Sequence, residues 1–291
     1  MADFVLSLPE NIEIFWVFWG SDGFNLPMLL KRNFDEYSLK YCLKNHPYLL
    51  LKYDLTHFML TYHWKNRVKK HLQAIQKVDY FCHYSEEDYE IIKEVTGFNA
   101  KWLEFNYGSL DDFTRKEDKL VLLTDYQKDI IWLGNSADES NNHISALFEI
   151  KRRGIEFSSI MCPLSYAGHK DYAKFVIKKG RELFAERFIP LTEFMPKEEY
   201  DELLKRCKCF IFNHKRSQAY TNIAYLLFSG GDIIMHSESS LTRYLRSNGI
   251  SLKTIDEEDW SYDKNQKINN SEAIEKLLNE TIVVQRYKNL F

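Results

Sequence analysis

From about residue 129 onward, short apolar runs alternate with stretches whose apolar positions recur at helical spacing. Asp129 to Leu133 carries four consecutive apolar side chains and stops at Gly134, which predicts a buried strand. Ser140 to Arg153 sets Ile144, Leu147, Phe148 and Ile150 on or near one face and stops at Gly154, which predicts a helix. The same alternation predicts strands from Ile155 to Cys162, Arg187 to Leu191, Cys207 to Asn213, Asp232 to His236 and Ile250 to Ile255. Helices are predicted between them, from His169 to Phe184, Pro196 to Arg206, Ala219 to Phe228 and Ser239 to Ser247. Repeated strand–helix–strand units of this length build a parallel sheet covered on both faces.

The earlier part follows the same logic less regularly. Ile12 to Trp19, Val78 to Cys82 and Ala100 to Phe105 read as strands, with a helix from Glu86 to Val95. Residues 27 to 77 are helix-rich, basic and aromatic. Ser109 to Asp125 is polar and charged, with Arg115, Lys116, Glu117, Asp118 and Lys119 in a row, and reads as a connection between two α/β domains. The expected division is a first domain over residues 1–120 and a second over 121–291.

Composition narrows the function classes. The chain has 291 residues, a formal net charge of −3 and 45% hydrophobic residues, ordinary for a globular protein. Without an excess of positive charge, a dedicated nucleic-acid binder is not expected. The five cysteines, Cys42, Cys82, Cys162, Cys207 and Cys209, are odd in number and mostly isolated in apolar runs, so they read as buried reduced thiols of a cytoplasmic protein. The start, Met1-Ala2-Asp3-Phe4, does not look like a secretion signal, and no run of about 18 apolar residues occurs that could span a membrane.

Several chemistries are excluded by their missing motifs. No glycine-rich dinucleotide fingerprint follows a strand, and no phosphate-binding loop of the nucleotide triphosphatase type is present. What remains is a set of strand-end loops, where open α/β sheets bind ligands. Gly134 to His143 offers Asn135, Ser136, Asp138 and Asn141 ahead of a helix, which is either a ligand loop or plain turn and cap chemistry. Asn213 to Ala219 places His214, Lys215, Arg216 and Gln218 before a helix start. Cations there oppose the helix dipole, and a bound diphosphate would relieve the conflict. Glu238 sits between a strand and a helix and could bind sugar or ribose hydroxyls or complement the helix dipole. Trp19-Gly20-Ser21-Asp22 ends a strand in an acidic turn. Asp22 could serve there as a general base, or simply bond its own backbone. A basic anion loop on one domain and a carboxylate on the other suggest group transfer from a donor with a phosphate leaving group.

These strings together resemble the family 56 glycosyltransferases, the 4-acetamido-4,6-dideoxygalactose (Fuc4NAc) transferases. The residues that carry the resemblance are Trp19-Gly20-Ser21-Asp22, the run from Leu133 to Ile144, Pro163-Leu164-Ser165-Tyr166 and the Asn213 to Ala219 loop. The resemblance covers the chain from about Ile12 onward. It implies a GT-B fold: two Rossmann-like domains facing a cleft, the N-terminal one abbreviated because the chain reaches its W-G-x-D strand almost at once. It implies an inverting transfer from a TDP-sugar to an undecaprenyl-diphosphate-linked glycan, with no metal cofactor. Asp22 is then the expected base, with His83 next in line. Asn135, Ser136, Asp138, Asn141, His214, Lys215, Arg216, Gln218 and Glu238 are the expected donor ligands.

A peripheral membrane position fits the same picture. Lys31, Arg32, Lys40, Lys44, Lys52, Lys65, Arg67, Lys69, Lys70 and Lys77 face only Asp35, Glu36 and Asp54, with Phe58, Met59, Leu60, Tyr62 and Trp64 among them. Such a segment is expected to dock on anionic lipid at the cytoplasmic face of the inner membrane. The alternative reading is a catalytically inactive GT-B-like module that binds a nucleotide-sugar or glycan.

Overall fold

The computed structural model describes residues 2–45, 62–123 and 128–290. The chain forms two compact units. One comprises residues 1–32, 40–109 and 280–291, and the other residues 33–39 and 110–279.

The second unit is built on a six-stranded parallel sheet. Its strands are β4 (Ile130–Leu133), β5 (Ser159–Pro163), β6 (Phe188–Leu191), β7 (Cys207–Phe212), β8 (Ile233–Met235) and β9 (Lys253–Thr254), in the order β6-β5-β4-β7-β8-β9. Each of the first five strands feeds a helix that returns over the sheet: His143–Arg153, Lys170–Phe184, Lys197–Lys205, Tyr220–Phe228 and Ser240–Ser247. Strands buried on both faces need apolar residues at every position. β4 is fully buried, as are the last four residues of β7. The chain runs outward from β4 through β5 to β6, then crosses back to β7 on the other side of β4. The order therefore reverses between β4 and β7, and the loops at that point leave the sheet in opposite directions. Ligands of open α/β sheets bind at such a reversal.

The first unit holds a three-stranded parallel sheet, β1 (Phe15–Val17), β2 (Tyr80–Cys82) and β3 (Lys101–Leu103), in register Phe15↔Tyr80 and Phe81↔Trp102. Its core is aromatic: Phe18, Phe24, Phe81, Tyr89 and Phe98 are buried together with Leu26, Leu29, Ile75 and Ile92, and Trp16 packs on them. The helix Glu86–Thr96 is capped by Ser85, whose hydroxyl accepts from the Asp88 N–H at 3.2 Å, and ends at Gly97 in the left-handed region.

The structure differs from the sequence pattern in three places. The observed strands are shorter, so that β1 covers three of the eight positions from Ile12 to Trp19. The polar stretch after Ser109 is not a free connection. It forms 3₁₀ turns that bury Leu110 and Leu122, and the N–H groups of Leu120 and Leu122 donate to Phe228 and Ser229 carbonyls at 3.0 and 2.8 Å. Residues 33–39 pack in the second unit and 280–291 in the first, so the compact units are not the two contiguous halves divided at residue 120.

Candidate functional site

Two loops meet where the strand order reverses. The first leaves β4 at Gly134, with φ 75°. A Cβ there would stand 2.8 Å from His143 Nε2 and 3.1 Å from Asn141 Oδ1, so only glycine fits. Asn141 is fully buried and spends its side chain on the loop itself. Its Oδ1 accepts from the Asn135 N–H at 3.1 Å, and its Nδ2 donates to Ser136 Oγ and the Asp138 carbonyl. Asp138 caps the 3₁₀ turn Glu139–Asn141, accepting from the Ser140 N–H at 2.9 Å and from its hydroxyl at 2.5 Å. Ser136 and Asn141, expected as donor ligands, therefore shape the loop from inside.

The second loop leaves β7 and leads into the helix Tyr220–Phe228, with Ala219 at its N-cap in the left-handed region (φ 58°). The two loops are stitched together. Asn213 Nδ2 donates to the Asn142 carbonyl at 3.0 Å, and Asn142 Nδ2 donates back to the Asn213 carbonyl at 3.1 Å. Gln218 Nε2 donates to Asn135 Oδ1 at 3.0 Å, and the Ser140 hydroxyl lies 2.8 Å from Gln218 Oε1. Asn142, fully buried with φ 51°, is the joint of this arrangement and was not among the expected site residues. The run of two asparagines before an apolar helix was the signal for it.

His214 is wholly buried and neither ring nitrogen meets a hydrogen-bond partner. Burial, and then the adjacent Arg216 charge, push its pKa down to about 3, so it is a neutral imidazole at physiological pH. Arg216 is 6% exposed, with its guanidinium 3.9 Å from Asp138 and a hydrogen bond to the Ser217 carbonyl at 3.3 Å. Lys215 pairs with Glu238 at 2.7 Å, and that ion pair holds the Glu238 carboxyl below the usual range. Glu238, expected on sugar hydroxyls, thus stands as the counter-ion of Lys215. Ser217 Oγ lies 3.0 Å from Ser240 Oγ, tying the β7 loop to the helix after β8. His214, Arg216, Lys215 and Glu238 are all brought to the carboxyl edge of β7 and β8.

A pocket of about 220 Å³ opens beside the same edge. Asn135, Tyr166, Phe194, Tyr200 and Asn222 line it, and the Asn135 amide donates to the Tyr166 hydroxyl at 3.2 Å. Phe194 is 94% exposed. Gly168 braces this wall: its φ is 60°, and a Cβ would fall 1.9 Å from the Ala137 carbonyl oxygen. Neither Gly168 nor the pocket was foreseen from the sequence.

In the first unit, Asp22 sits not in the open turn expected but in the one-turn helix Ser21–Phe24 that follows β1. Trp16 Nε1 donates to its Oδ2 at 2.6 Å and the Trp19 N–H donates to its Oδ1 at 3.1 Å. Burial raises the Asp22 pKa above the usual aspartate range, although these hydrogen bonds and nearby His83 act the other way. His83, at the end of β2, is buried with Nε2 2.9 Å from Asp88 Oδ2, and its Nδ1 has no partner. In the basic segment, Lys70 pairs with Asp3 at 2.6 Å and Lys77 donates to the Leu8 carbonyl, so part of its charge is engaged. Lys52, Asp54, Phe58, Met59 and Leu60 lie outside the described residues. Among the described residues no helix is long and apolar enough to cross a membrane, and no three His, Cys, Asp or Glu side chains group as a metal site.

A sucrose-phosphate synthase from Thermosynechococcus elongatus is similar with TM-score 0.58 and 10% identity, over 81% of this chain and 64% of that one. The Anabaena protein HepE, solved with UDP and glucose, is similar with TM-score 0.55 and 10% identity, over 76% and 67%. A glycosyltransferase from Rickettsia africae is similar with TM-score 0.54 and 10% identity, over 91% and 81%. The chain spans about three fifths of the length of several solved structures that it matches. At such identities the likeness is one of fold, and that fold is GT-B. The family described as 4-alpha-L-fucosyltransferase, glycosyl transferase group 56, matches residues 109–277, more than half of the 291 residues, and the chain belongs to that family.

Proposed function

We propose that this protein is an inverting glycosyltransferase that moves a deoxy-amino sugar from a TDP-sugar to an undecaprenyl-diphosphate-linked glycan. The observation that carries the donor half is the loop pair at the strand reversal. A nearly buried Arg216, a neutral buried His214 with two open ring nitrogens and the N-terminus of the helix Tyr220–Phe228 converge there. A diphosphate gains charge as the sugar departs, and fixed donors aimed at that charge stabilise the transition state without a metal ion. In this reading Lys215 exchanges Glu238 for a phosphate oxygen, and Glu238 is released toward the sugar. The pocket of Asn135, Tyr166, Phe194, Tyr200 and Asn222 takes the flat base.

The transfer itself balances simply. The acceptor hydroxyl oxygen bonds to the anomeric carbon, the bond from that carbon to the diphosphate oxygen breaks, and the hydroxyl proton passes to a base. Asp22 is that base, because its raised pKa makes it a stronger proton acceptor than an exposed aspartate. The basic residues between 31 and 77 draw the protein to anionic lipid at the cytoplasmic membrane face, where a lipid-linked acceptor resides.

Thermal-shift measurements with TDP, UDP and GDP test the donor assignment. A ligand that binds only the folded state stabilises by about 2.7 kcal/mol at a hundred times its Kd. TDP is expected to raise the melting temperature most. No shift with any of the three would contradict the assignment, and a TDP shift with no transfer to any lipid-linked acceptor would favour the inactive binding module.

A further inference from the structure

Trp19 is 63% exposed although it directly follows the wholly buried Phe18, the residue after β1. It is not loose. Its indole stacks on the Tyr107 ring with centroids 4.3 Å apart and planes 8° from parallel. One face of the indole is therefore covered by tyrosine, and its exposure is largely that of the opposite face. Both halves of the stack are held from behind. The Trp19 N–H donates to Asp22 Oδ1, so the indole and that carboxylate belong to one turn. The Tyr107 carbonyl accepts from the Tyr287 hydroxyl at 3.1 Å, and Tyr287 packs edge-on against Phe105 at 4.8 Å. Next in the chain, Arg286 bonds Asn106 and Glu104. The helix Glu280–Lys288 thus clamps the segment that carries Tyr107.

We infer that the open face of Trp19 is a stacking platform for a sugar ring of the acceptor glycan, seated so that its hydroxyl rim meets Asp22. This rests on the glycosyltransferase reading and adds to it the acceptor subsite. Burying an indole face is favourable, and leaving one fixed in water beside a carboxylate calls for an occupant that is apolar on one side and polar at its edge. A pyranose has that shape. Its axial C–H bonds present a weakly positive apolar face to the negative face of the ring, and its hydroxyls point sideways to acceptors. An acyl chain would need a continuous apolar surface, whereas the residues beside Trp19 in the turn are Gly20, exposed Ser21 and Asp22.

The test is a titration of the full chain, labelled with ¹⁵N, with methyl N-acetyl-β-D-glucosaminide and methyl α-D-glucopyranoside. The indole N–H signals are the readout, and the Trp19 signal is identified by its loss in Trp19→Phe. The expected result is a saturable shift of the Trp19 signal and of Trp16, whose indole holds Asp22, while Trp132 and Trp260 stay in place. Read from the Trp16 signal, Trp19→Ala should weaken sugar binding by about two- to tenfold, the worth of an aromatic pair, with Trp19→Phe between. TDP binding measured on each variant confirms an intact donor unit. An absent shift with both sugars up to their solubility limits, or equal affinity in wild type and Trp19→Ala, would overturn the platform and leave the donor assignment standing. Absent TDP binding with an intact Trp19 shift would overturn the donor assignment instead.

Discussion

In the proposed transfer Asp22 is the base, and its protonation state sets the rate. Burial raises its pKa, so the acid limb of the turnover profile should lie above the ordinary aspartate range: the base must be ionised, and it is protonated as pH falls through the raised value. Asp22→Asn should bind TDP normally and lose about 10²–10⁴ in turnover, as general-base removal does. Near wild-type turnover in that variant would move the role to His83, whose Nδ1 is open and whose Nε2 is already held by Asp88. Two other histidines make a stability prediction. His143 and His214 have pKa values pushed by burial to about 4 and about 3, while in the unfolded chain each takes up a proton near the ordinary histidine value of 6.5. Below that value the unfolded state binds more protons, so stability is lost as pH falls, by up to about 1.4 kcal/mol per pH unit for each group. Urea unfolding at pH 7 and pH 5 should show this loss, and a His143→Phe/His214→Phe variant should show less of it. An equal loss in both proteins would mean that neither imidazole is buried neutral.

Among the elements, Gly168 and the loop after β4 form one unit. A methyl group at Gly168 would collide with the Ala137 carbonyl, and the residue also holds a left-handed φ. Gly168→Ala should therefore displace the loop that carries Asn135 and weaken TDP binding while the sheet still forms, which calorimetry and far-UV circular dichroism read separately; unchanged affinity would show that the loop is not part of the donor site. The sequence made the strand–helix alternation of the second unit legible because its strands are buried on both faces and so read as unbroken apolar runs. The strand-end loops were legible for the same reason, since they interrupt those runs. What each polar residue does there was not. Asn141 and Asp138 look like ligands in sequence, but the first is turned into the loop and the second caps a turn, a choice set by which backbone N–H groups the loop leaves open. Lys215 and Glu238 lie too far apart in sequence for their ion pair to be visible. The helix Lys264–Leu277 went unread, although Asp263 and Gln266 form a capping box at its start, because its buried face includes Asn270 and Ser271 and breaks the apolar period.

For the molecule as a whole, the proposed function needs both a donor unit and a segment rich in basic residues. Attachment through those charges is expected to be electrostatic, since among the described residues no helix could span a bilayer. Flotation with anionic liposomes should fall steeply as salt rises from about 0.01 M to 1 M, over which the screening length shrinks from about 30 Å to 3 Å. Binding that ignores salt, or no binding at low salt, would contradict it.

The central claim is that the β7 loop holds the donor diphosphate, and calorimetric titration of TDP into wild type and Arg216→Ala tests it most directly. Arg216 is nearly buried beside the N-terminus of the helix Tyr220–Phe228. Losing one charged hydrogen bond from that place should cost about 1.5–3 kcal/mol of binding free energy, which is roughly a 10- to 150-fold rise in Kd. The same Kd in both proteins would contradict the account.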